Sequence, residues 1–156
     1  VGIPWMFAVA MQRDGWYLRQ DIIWHKPVPM PEAVNDRFQK SHEHIFLFSI
    51  KKNYYFDTAA VSLPKKEGEG WVRRHDVWDI PTTNFQGAHF AVFPQKLPEL
   101  CMKASTKEND TVLDPFLGSG TTAYVAQRLG RKWVGIELNP EYAKIIRKRT
   151  AQKELF

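Results

Sequence analysis

The sequence predicts an α/β fold that is organised around one strand–helix–strand unit in residues 111–138. A short apolar run ends at Asp114, a glycine-rich turn follows, and good helix formers over residues 121–129 are closed by Gly130. A second short apolar run, residues 133–138, follows this helix. Strands joined through a helix in this way are expected to be parallel, with a right-handed crossover.

The glycine-rich turn has the spacing of a nucleoside-cofactor site. Gly118, Gly120 and Ala123 fit the pattern G-x-G-x-x-G/A. Glu137 follows roughly 20 positions further on, which is where such sites carry an acidic residue. Glycine lets the backbone turn tightly and approach a ligand closely, and the carboxylate can accept hydrogen bonds from ribose hydroxyls. The first hypothesis is therefore a nucleoside-containing cofactor.

Charge distinguishes two classes of such cofactor. A nicotinamide dinucleotide would place an anionic pyrophosphate over the turn and the helix N-terminus. Asp114, at the mouth of the first strand, would repel that phosphate but attract the ammonium or sulfonium group of S-adenosylmethionine, which has no phosphate. The simpler alternative is that Asp114 only caps a turn and that Glu137 is solvated.

The same residues carry a resemblance to a known family. Residues 114–122 (DPFLGSGTT) resemble the cofactor motif of DNA amino-methyltransferases, which methylate the exocyclic amine of adenine (N6) or cytosine (N4). Residues 89–97 (HFAVFPQKL) resemble the motif that precedes it in the permuted subgroup of that family, and residues 137–142 (ELNPEY) the one that follows. Smaller similarities lie at WHKP in residues 24–27, DR in residues 36–37 and HE in residues 42–43. The resemblance covers nearly the whole chain.

This resemblance implies a Rossmann-like, S-adenosylmethionine-dependent methyltransferase fold with an antiparallel strand pair, of the restriction–modification type. It also implies S-adenosylmethionine as the cofactor and double-stranded DNA as the partner. The cofactor-binding residues that it implies are His89, Phe90, Phe93, Asp114, Phe116, Gly118, Ser119, Gly120, Thr121, Glu137 and Leu138. In this arrangement Phe116 and Leu138 flank the adenine, although their apolar side chains would also suit the core.

Upstream, the pattern predicts a helix followed by two strands. Residues 5–12 are typical of a short apolar helix that stops near Asp14. Residues 17–24 and 44–49 are typical of buried strands. Residues 26–40, between them, contain three prolines and several charges and indicate a long loop. We therefore expect an antiparallel strand pair.

Two further helices are predicted around the glycine-rich unit. Over residues 97–105 the apolar side chains recur at helical spacing, and Cys101 is one of them. We therefore assign Cys101 to packing, since methylation of an amine needs no thiol. Asn139 as N-cap and Pro140 at the first helical position begin a last helix over residues 142–150.

Two stretches carry the candidate DNA-binding residues: the long loop of residues 26–43 and the basic, aromatic-rich residues 51–88. The candidates are Arg37, Lys40, His42, Lys65, Lys66, Arg73 and Arg74. An ion-paired corner of Asp36 and Arg37, or a solvated basic face over core aromatics, would give the same residue types. The formal charge of +5 and the pI of about 9.4 suit a polyanionic partner.

We expect the chain to have three parts. Residues 1–57 form the C-terminal part of a catalytic subdomain, residues 58–88 a short target-recognition segment, and residues 89–156 the S-adenosylmethionine-binding subdomain. The family's catalytic loop, an acidic residue or serine followed by Pro-Pro and an aromatic residue, does not occur in the 156 residues, so no catalytic residue is assigned. We expect this loop and two strands before Val1. The fold would then be incomplete, and the chain would associate with a missing N-terminal portion or with a second copy.

Composition excludes several classes of protein for this chain. A single cysteine excludes an intrachain disulfide, and the chain shows no membrane-spanning run and no signal peptide. These features favour a cytoplasmic protein of a bacterium, an archaeon or a phage. No second His or Cys stands at ligand spacing from His42, so no metal is expected. The alternatives left open are a non-catalytic DNA-binding remnant, a dinucleotide-dependent oxidoreductase, and methyl transfer to RNA or protein.

Overall fold

The computed structural model of the chain describes residues 2–83 and 92–151. Two compact units make up the chain, and each has its own sheet. The first unit consists of Val1–Tyr55 and Leu63–Thr82, and the second of Phe56–Ser62 and Thr83–Phe156. Among the helices of the described ranges, each is too short or too polar to span a lipid bilayer.

The first unit begins with the predicted helix and strand pair. Helix α1 (Ile3–Arg13) has a proline in its first turn and ends before Gly15, whose φ of 96° reverses the chain. Strand β1 (Tyr17–His25) pairs antiparallel with β2 (His42–Ser49), and the long loop predicted between them is confirmed. A register shift beside Arg19 interrupts the ladder near the start of β1.

Three short strands in the first unit are absent from the sequence-based expectation. Strands β3 (Leu63–Pro64) and β4 (Trp71–Val72) form a small antiparallel hairpin. Strand β5 (Val77–Asp79) pairs parallel with β1 and completes a sheet of order β2-β1-β5. With two to three residues each, these strands are too short to produce a periodic pattern.

Two buried tryptophans occupy matching positions on β1 and β5 in the first unit. Trp24 and Trp78 face each other in register and are both buried. The indole nitrogen of Trp24 donates to the backbone oxygen of Ile80 at 2.7 Å, which satisfies its polar group inside the core. Lys26 lies over the Trp24 ring at 4.6 Å and forms an ion pair with Glu43. The WHKP and HE motifs thus meet at one end of the β1–β2 pair.

In the second unit the predicted strand–helix–strand is confirmed. Its elements are α2 (Thr58–Val61), α3 (Lys96–Ser105), β6 (Thr111–Asp114), α4 (Thr121–Arg128), β7 (Lys132–Gly135) and α5 (Pro140–Ala151). Strands β6 and β7 are parallel, with Asp114 opposite Gly135. The predicted N-cap of α5 is also confirmed, because Asn139 Oδ1 accepts a hydrogen bond from the backbone nitrogen of Glu141 at 3.0 Å.

Strand β7 ends at Gly135, before the predicted end at Leu138. Beyond Gly135 the chain bends toward the turn that follows β6. The nitrogen of Ile136 donates to Asp114 O at 3.0 Å, and Ile136 O accepts from the nitrogen of Leu117 at 2.9 Å. These two bonds join the end of β6 and the turn after it to the segment that follows β7, so that Asp114 and Glu137 belong to one connected region.

The β6–β7 sheet has one covered face and one exposed face. On the covered face, Val112 and Trp133 pack against a buried cluster of Met102, Val125 and Ala126 from α3 and α4. On the other face Leu113, Val134 and Ile136 are exposed. The core of the second unit therefore lies on the α3–α4 side of its sheet.

Candidate cofactor site

The glycine-rich turn adopts a conformation that its two glycines make accessible. Gly118 has a φ of 54° and Gly120 a φ of 83°, in the left-handed region that side chains disfavour. At Gly120 an added Cβ would also lie 3.0 Å from Ile146 Cγ1 of α5. The tight backbone turn that the motif predicts is therefore present, and at Gly120 the lack of a side chain also leaves space for Ile146.

Asp114 lies at the end of β6 and organises the turn that follows. Its Oδ1 accepts a hydrogen bond from the nitrogen of Phe116 at 2.9 Å, and its Oδ2 accepts one from Thr122 Oγ1 at 2.6 Å. The turn-capping part of the simpler alternative is thus present. An ionised carboxylate has about four lone-pair positions, so two bonds leave capacity for a ligand.

Glu137 occupies the corresponding place after β7 and is bound to two backbone amides. Its Oε2 accepts from the nitrogen of Gly118 at 2.8 Å, and its Oε1 accepts from the nitrogen of Asn139 at 2.7 Å. Glu137 is therefore a bridge between the glycine-rich turn and the start of α5, in addition to being partly accessible to solvent. No local sequence pattern predicts this bridge.

The electrostatics of the turn oppose a phosphate. In dinucleotide sites the backbone amides of the glycine-rich turn donate to pyrophosphate. Here the amide of Gly118 already donates to the Glu137 carboxylate. A phosphate at the turn would have to displace one carboxylate while approaching a second, that of Asp114. This region is better matched to a ligand with positive charge and hydroxyl donors.

Two strongly exposed apolar side chains follow Asp114 and Glu137 in the sequence. Phe116 is 87% exposed and Leu138 is 97% exposed. They follow Asp114 and Glu137 closely in sequence, on the two segments that the Leu117–Ile136 hydrogen bond joins. Their exposure excludes the core role that the sequence left open for them. A flat heterocycle could be covered by side chains of this kind.

The other predicted cofactor residues differ in how the structure places them. His89 and Phe90 lie outside the described residues, and Phe93 is partly exposed just before α3. Ser119 and Thr121 are buried, and their hydroxyls accept from Arg149 Nη1 at 3.0 Å and 3.3 Å. Both side chains are therefore engaged by Arg149 and largely closed to solvent.

Arg149 also belongs to this region, although no sequence motif marks it. It lies on α5, 30 residues after Ser119, and no local pattern links the two. Burial lowers the pKa of Arg149 from its ordinary value, an effect that Tyr124 partly opposes. In the same unit, burial raises the pKa of the Cys101 thiol to about 11, in keeping with a packing role for that side chain.

The candidate DNA-binding residues all lie in the first unit. Arg37 donates to Asp36 at 2.9 Å and lies 3.6 Å from Glu32, which is the ion-paired corner that the sequence left open. His42 contacts the His44 ring edge to face at 5.5 Å. Lys40 is exposed in the loop before β2, Lys65 and Lys66 lie in the β3–β4 turn, and Arg73 and Arg74 follow β4. Within the described residues no cluster of three His, Cys, Asp or Glu side chains suits a metal ion.

The fold and the site together define a Rossmann-like protein whose glycine-rich turn is lined by acids. A family model described as DNA methylase matches residues 3–148. The chain therefore belongs to the DNA methylase family. This result removes the support for a dinucleotide-dependent oxidoreductase, which shared only the glycine spacing.

Individual relatives are consistent with this assignment. The chain is 53% identical over 145 residues to the type II methyltransferase M.Cfr9I of Citrobacter freundii, which covers 93% of this chain and 48% of that protein. It is 48% identical over 154 residues to the type II methyltransferase M.SmaI of Serratia marcescens, covering 98% of this chain and 53% of that protein. The chain thus spans about half the length of these curated relatives.

Solved structures give the same fold. The PvuII DNA methyltransferase, described as cytosine-N4-specific, has a TM-score of 0.77 at 27% identity and covers 96% of this chain and 58% of its own. A complex of M1.HpyAVI with SAM has a TM-score of 0.73 at 29% sequence identity. The match covers 97% of this chain and 70% of the M1.HpyAVI chain. The predicted Rossmann-like methyltransferase fold with an antiparallel strand pair is confirmed.

Proposed function

We propose that this chain forms the cofactor-binding part and a DNA-contacting part of a site-specific DNA methyltransferase of the restriction–modification type. The enzyme transfers a methyl group from S-adenosylmethionine to the exocyclic amine of adenine (N6) or cytosine (N4) in double-stranded DNA. The observation that carries the proposal is the acid-lined glycine turn, where Glu137 occupies the Gly118 amide that a phosphate would need. The names of the relatives support the same reaction.

The residues present fit S-adenosylmethionine by their chemistry. Asp114 retains acceptor capacity for an ammonium group, and Glu137 for ribose hydroxyls. The exposed side chains of Phe116 and Leu138 supply apolar surface for adenine. Gly118 brings the backbone close to the ligand because it has no side chain.

In this proposal the chain contributes binding and orientation. S-adenosylmethionine, when bound, supplies a methyl group that its positively charged sulfur already activates. Asp114, Glu137 and the glycine turn hold one end of the reacting pair in place, so that alignment with the target amine lowers the barrier. A base inside a duplex cannot reach such an alignment, and therefore the target base has to leave the helix.

The first unit would supply the attraction to DNA. The basic residues of the β3–β4 turn, Lys65 and Lys66, are exposed, and Trp71 on β4 is 70% exposed beside them. Cations for phosphates and an aromatic face for stacking are the parts that a nucleic-acid surface needs. We propose residues 58–88 as the recognition segment, a cytoplasmic location, and association with a further portion of the enzyme or with a second copy.

A calorimetric titration tests the cofactor assignment. The chain should bind S-adenosylmethionine and S-adenosylhomocysteine and should not bind NAD. Binding of NAD without binding of S-adenosylhomocysteine would refute the proposal. Because a dinucleotide differs from these ligands by its pyrophosphate, the comparison addresses the charge argument directly.

Methyl transfer is tested with the complete gene product and duplex DNA. Nucleosides from the treated DNA are separated by mass, which distinguishes methylated adenine from methylated cytosine. Cytosine N4 is the first product to examine, because the PvuII enzyme is described as specific for it. RNA and protein serve as competing substrates, at stated salt concentration. Cofactor binding without methylation of any of them would favour a non-catalytic DNA-binding remnant.

A further inference from the structure

We propose that Arg149 is a positioning residue that holds the glycine-rich turn in its ligand-binding conformation. The inference builds on the proposed S-adenosylmethionine site, because it concerns the backbone on which that ligand would lie. Arg149 does not itself belong to the predicted ligand-binding residues. It acts through Ser119 and Thr121.

Three hydrogen bonds of Arg149 converge on the turn, and its guanidinium group also lies 5.8 Å from the centre of the Tyr124 ring on α4. Its Nη1 lies 3.0 Å from the backbone oxygen of Ser119, 3.0 Å from Ser119 Oγ and 3.3 Å from Thr121 Oγ1. Ser119 lies between Gly118 and Gly120, so the guanidinium group is hydrogen-bonded to the middle of the turn. Hydrogen bonds from a charged donor are stronger than those between neutral groups, and these are partly screened from water because Arg149 is half-buried.

A second residue on the same face of α5 supports the turn from behind. Ile146, one helical turn before Arg149, is buried in a cluster with Leu117 and Ala123. Ile146 lies so close to Gly120 that an added Cβ would require Ile146 to shift by a few tenths of an ångström. Through Ile146 and Arg149, α5 therefore packs against the glycine-rich turn.

This arrangement gives the arginine a role in affinity. The turn carries two residues with positive φ, a conformation that an unrestrained chain populates only in part. Apparent affinity falls in proportion to the fraction of molecules whose turn is competent to bind. If loss of the Arg149 contacts reduces this fraction to about one tenth, the dissociation constant rises about tenfold.

The test uses the full chain and three variants. Arg149→Met removes the guanidinium group but keeps the length of the side chain. Arg149→Lys retains the charge, and because the three hydrogen bonds to the turn come from one nitrogen, an ammonium group can restore part of them. Arg147→Met changes an exposed arginine on the same helix and is the matched control. Binding of S-adenosylhomocysteine is measured by calorimetry, and amide exchange by mass spectrometry.

Arg149→Met should weaken binding about tenfold and accelerate amide exchange at Gly118 and Gly120, with little change elsewhere in the chain. Arg149→Lys should recover part of both losses, and Arg147→Met should match the original protein. Faster exchange spread evenly over the second unit would overturn the proposal, as would binding by Arg149→Met within twofold of the original.

Two further outcomes keep the inference separate from the proposed function. If Arg149→Met does not fold, Arg149→Lys and Ser119→Ala take its place, and unchanged exchange at the turn in both would overturn the inference. If the original protein binds no S-adenosylhomocysteine, the proposed function fails. The exchange comparison then decides by itself whether Arg149 holds the turn.

Discussion

Replacing Gly135 with alanine should destabilise the second unit, because the added methyl group would collide with Leu117. A Cβ at Gly135 would lie 2.3 Å from Leu117 Cδ2, 3.0 Å from its Cγ and 3.2 Å from its Cβ. Leu117 is only 6% exposed and belongs to a packed cluster, so its whole side chain would have to shift. Overpacking of this kind costs about 1–3 kcal/mol.

The alanine also has a favourable effect on the unfolded chain. Replacing glycine by alanine reduces the conformational freedom of the unfolded state and stabilises the fold by about 0.4–1 kcal/mol. The collision is the larger effect, and we expect a net destabilisation of about 1–2 kcal/mol. Urea unfolding followed by circular dichroism measures it as a lower midpoint at an unchanged slope.

Two comparisons isolate the collision. Val134→Ala, at an exposed neighbouring position on β7, should cost less than about 1 kcal/mol. In a Leu117→Ala background the methyl group has room, so Gly135→Ala should cost at least about 0.5 kcal/mol less than it does alone. An equal cost in the two backgrounds would refute the steric explanation.

The same substitution should also affect the cofactor. Leu117 is part of the turn, since its nitrogen donates to Ile136 O and its backbone oxygen accepts from Gly120 N. Displacing Leu117 therefore moves the backbone on which the ligand is expected to lie. Gly135→Ala should weaken binding of S-adenosylhomocysteine in calorimetry. Unchanged affinity would show that a shift of Leu117 does not alter the ligand-binding turn.

Three further predictions concern charge and reactivity. Asp114→Asn should weaken S-adenosylmethionine binding about 10- to 100-fold by calorimetry, because one charged acceptor is lost. Asp110→Asn, just before the start of β6, is the control and should leave S-adenosylmethionine binding unchanged. If both variants lose affinity equally, Asp114 does not have the ligand-binding role assigned to it. Lys65→Gln with Lys66→Gln should lower the salt slope of DNA binding by about 0.9 per lost phosphate contact, and an unchanged slope would exclude this turn from the interface. Cys101 should react with iodoacetamide on the order of 100-fold more slowly in the folded chain than in urea, because its raised pKa leaves little thiolate; similar rates would contradict its burial.

Sequence reasoning succeeded where local signals determine structure. The strand–turn–helix after residue 111 is specified by an apolar run, by glycines with positive φ and by helix formers that follow one another directly. The N-cap at Asn139 is equally local. These signals require no knowledge of distant residues, and the central motif of the family resemblance lies in the same stretch.

Features that depend on distant contacts were not predictable in this way. Gly135 carries no turn signal, and its role appears only when Leu117 is packed against it. Arg149 reads as one of several basic residues until α5 folds onto the turn. Strand β7 ends early because Ile136 bonds to the segment after β6, which a strand pattern within residues 133–138 does not contain. The three-part functional division and the individual ligand contacts stay predictions.

The exposed face of the β6–β7 sheet has a practical consequence for handling the protein. Within the described ranges this sheet has only two strands, so each has an unpaired edge, and Leu113, Val134 and Ile136 add an apolar surface next to those edges. Unpaired strand edges and contiguous exposed apolar surface both promote aggregation. Sample concentration is consequently a variable to control in titrations, because ligand-independent clustering would withdraw material from solution.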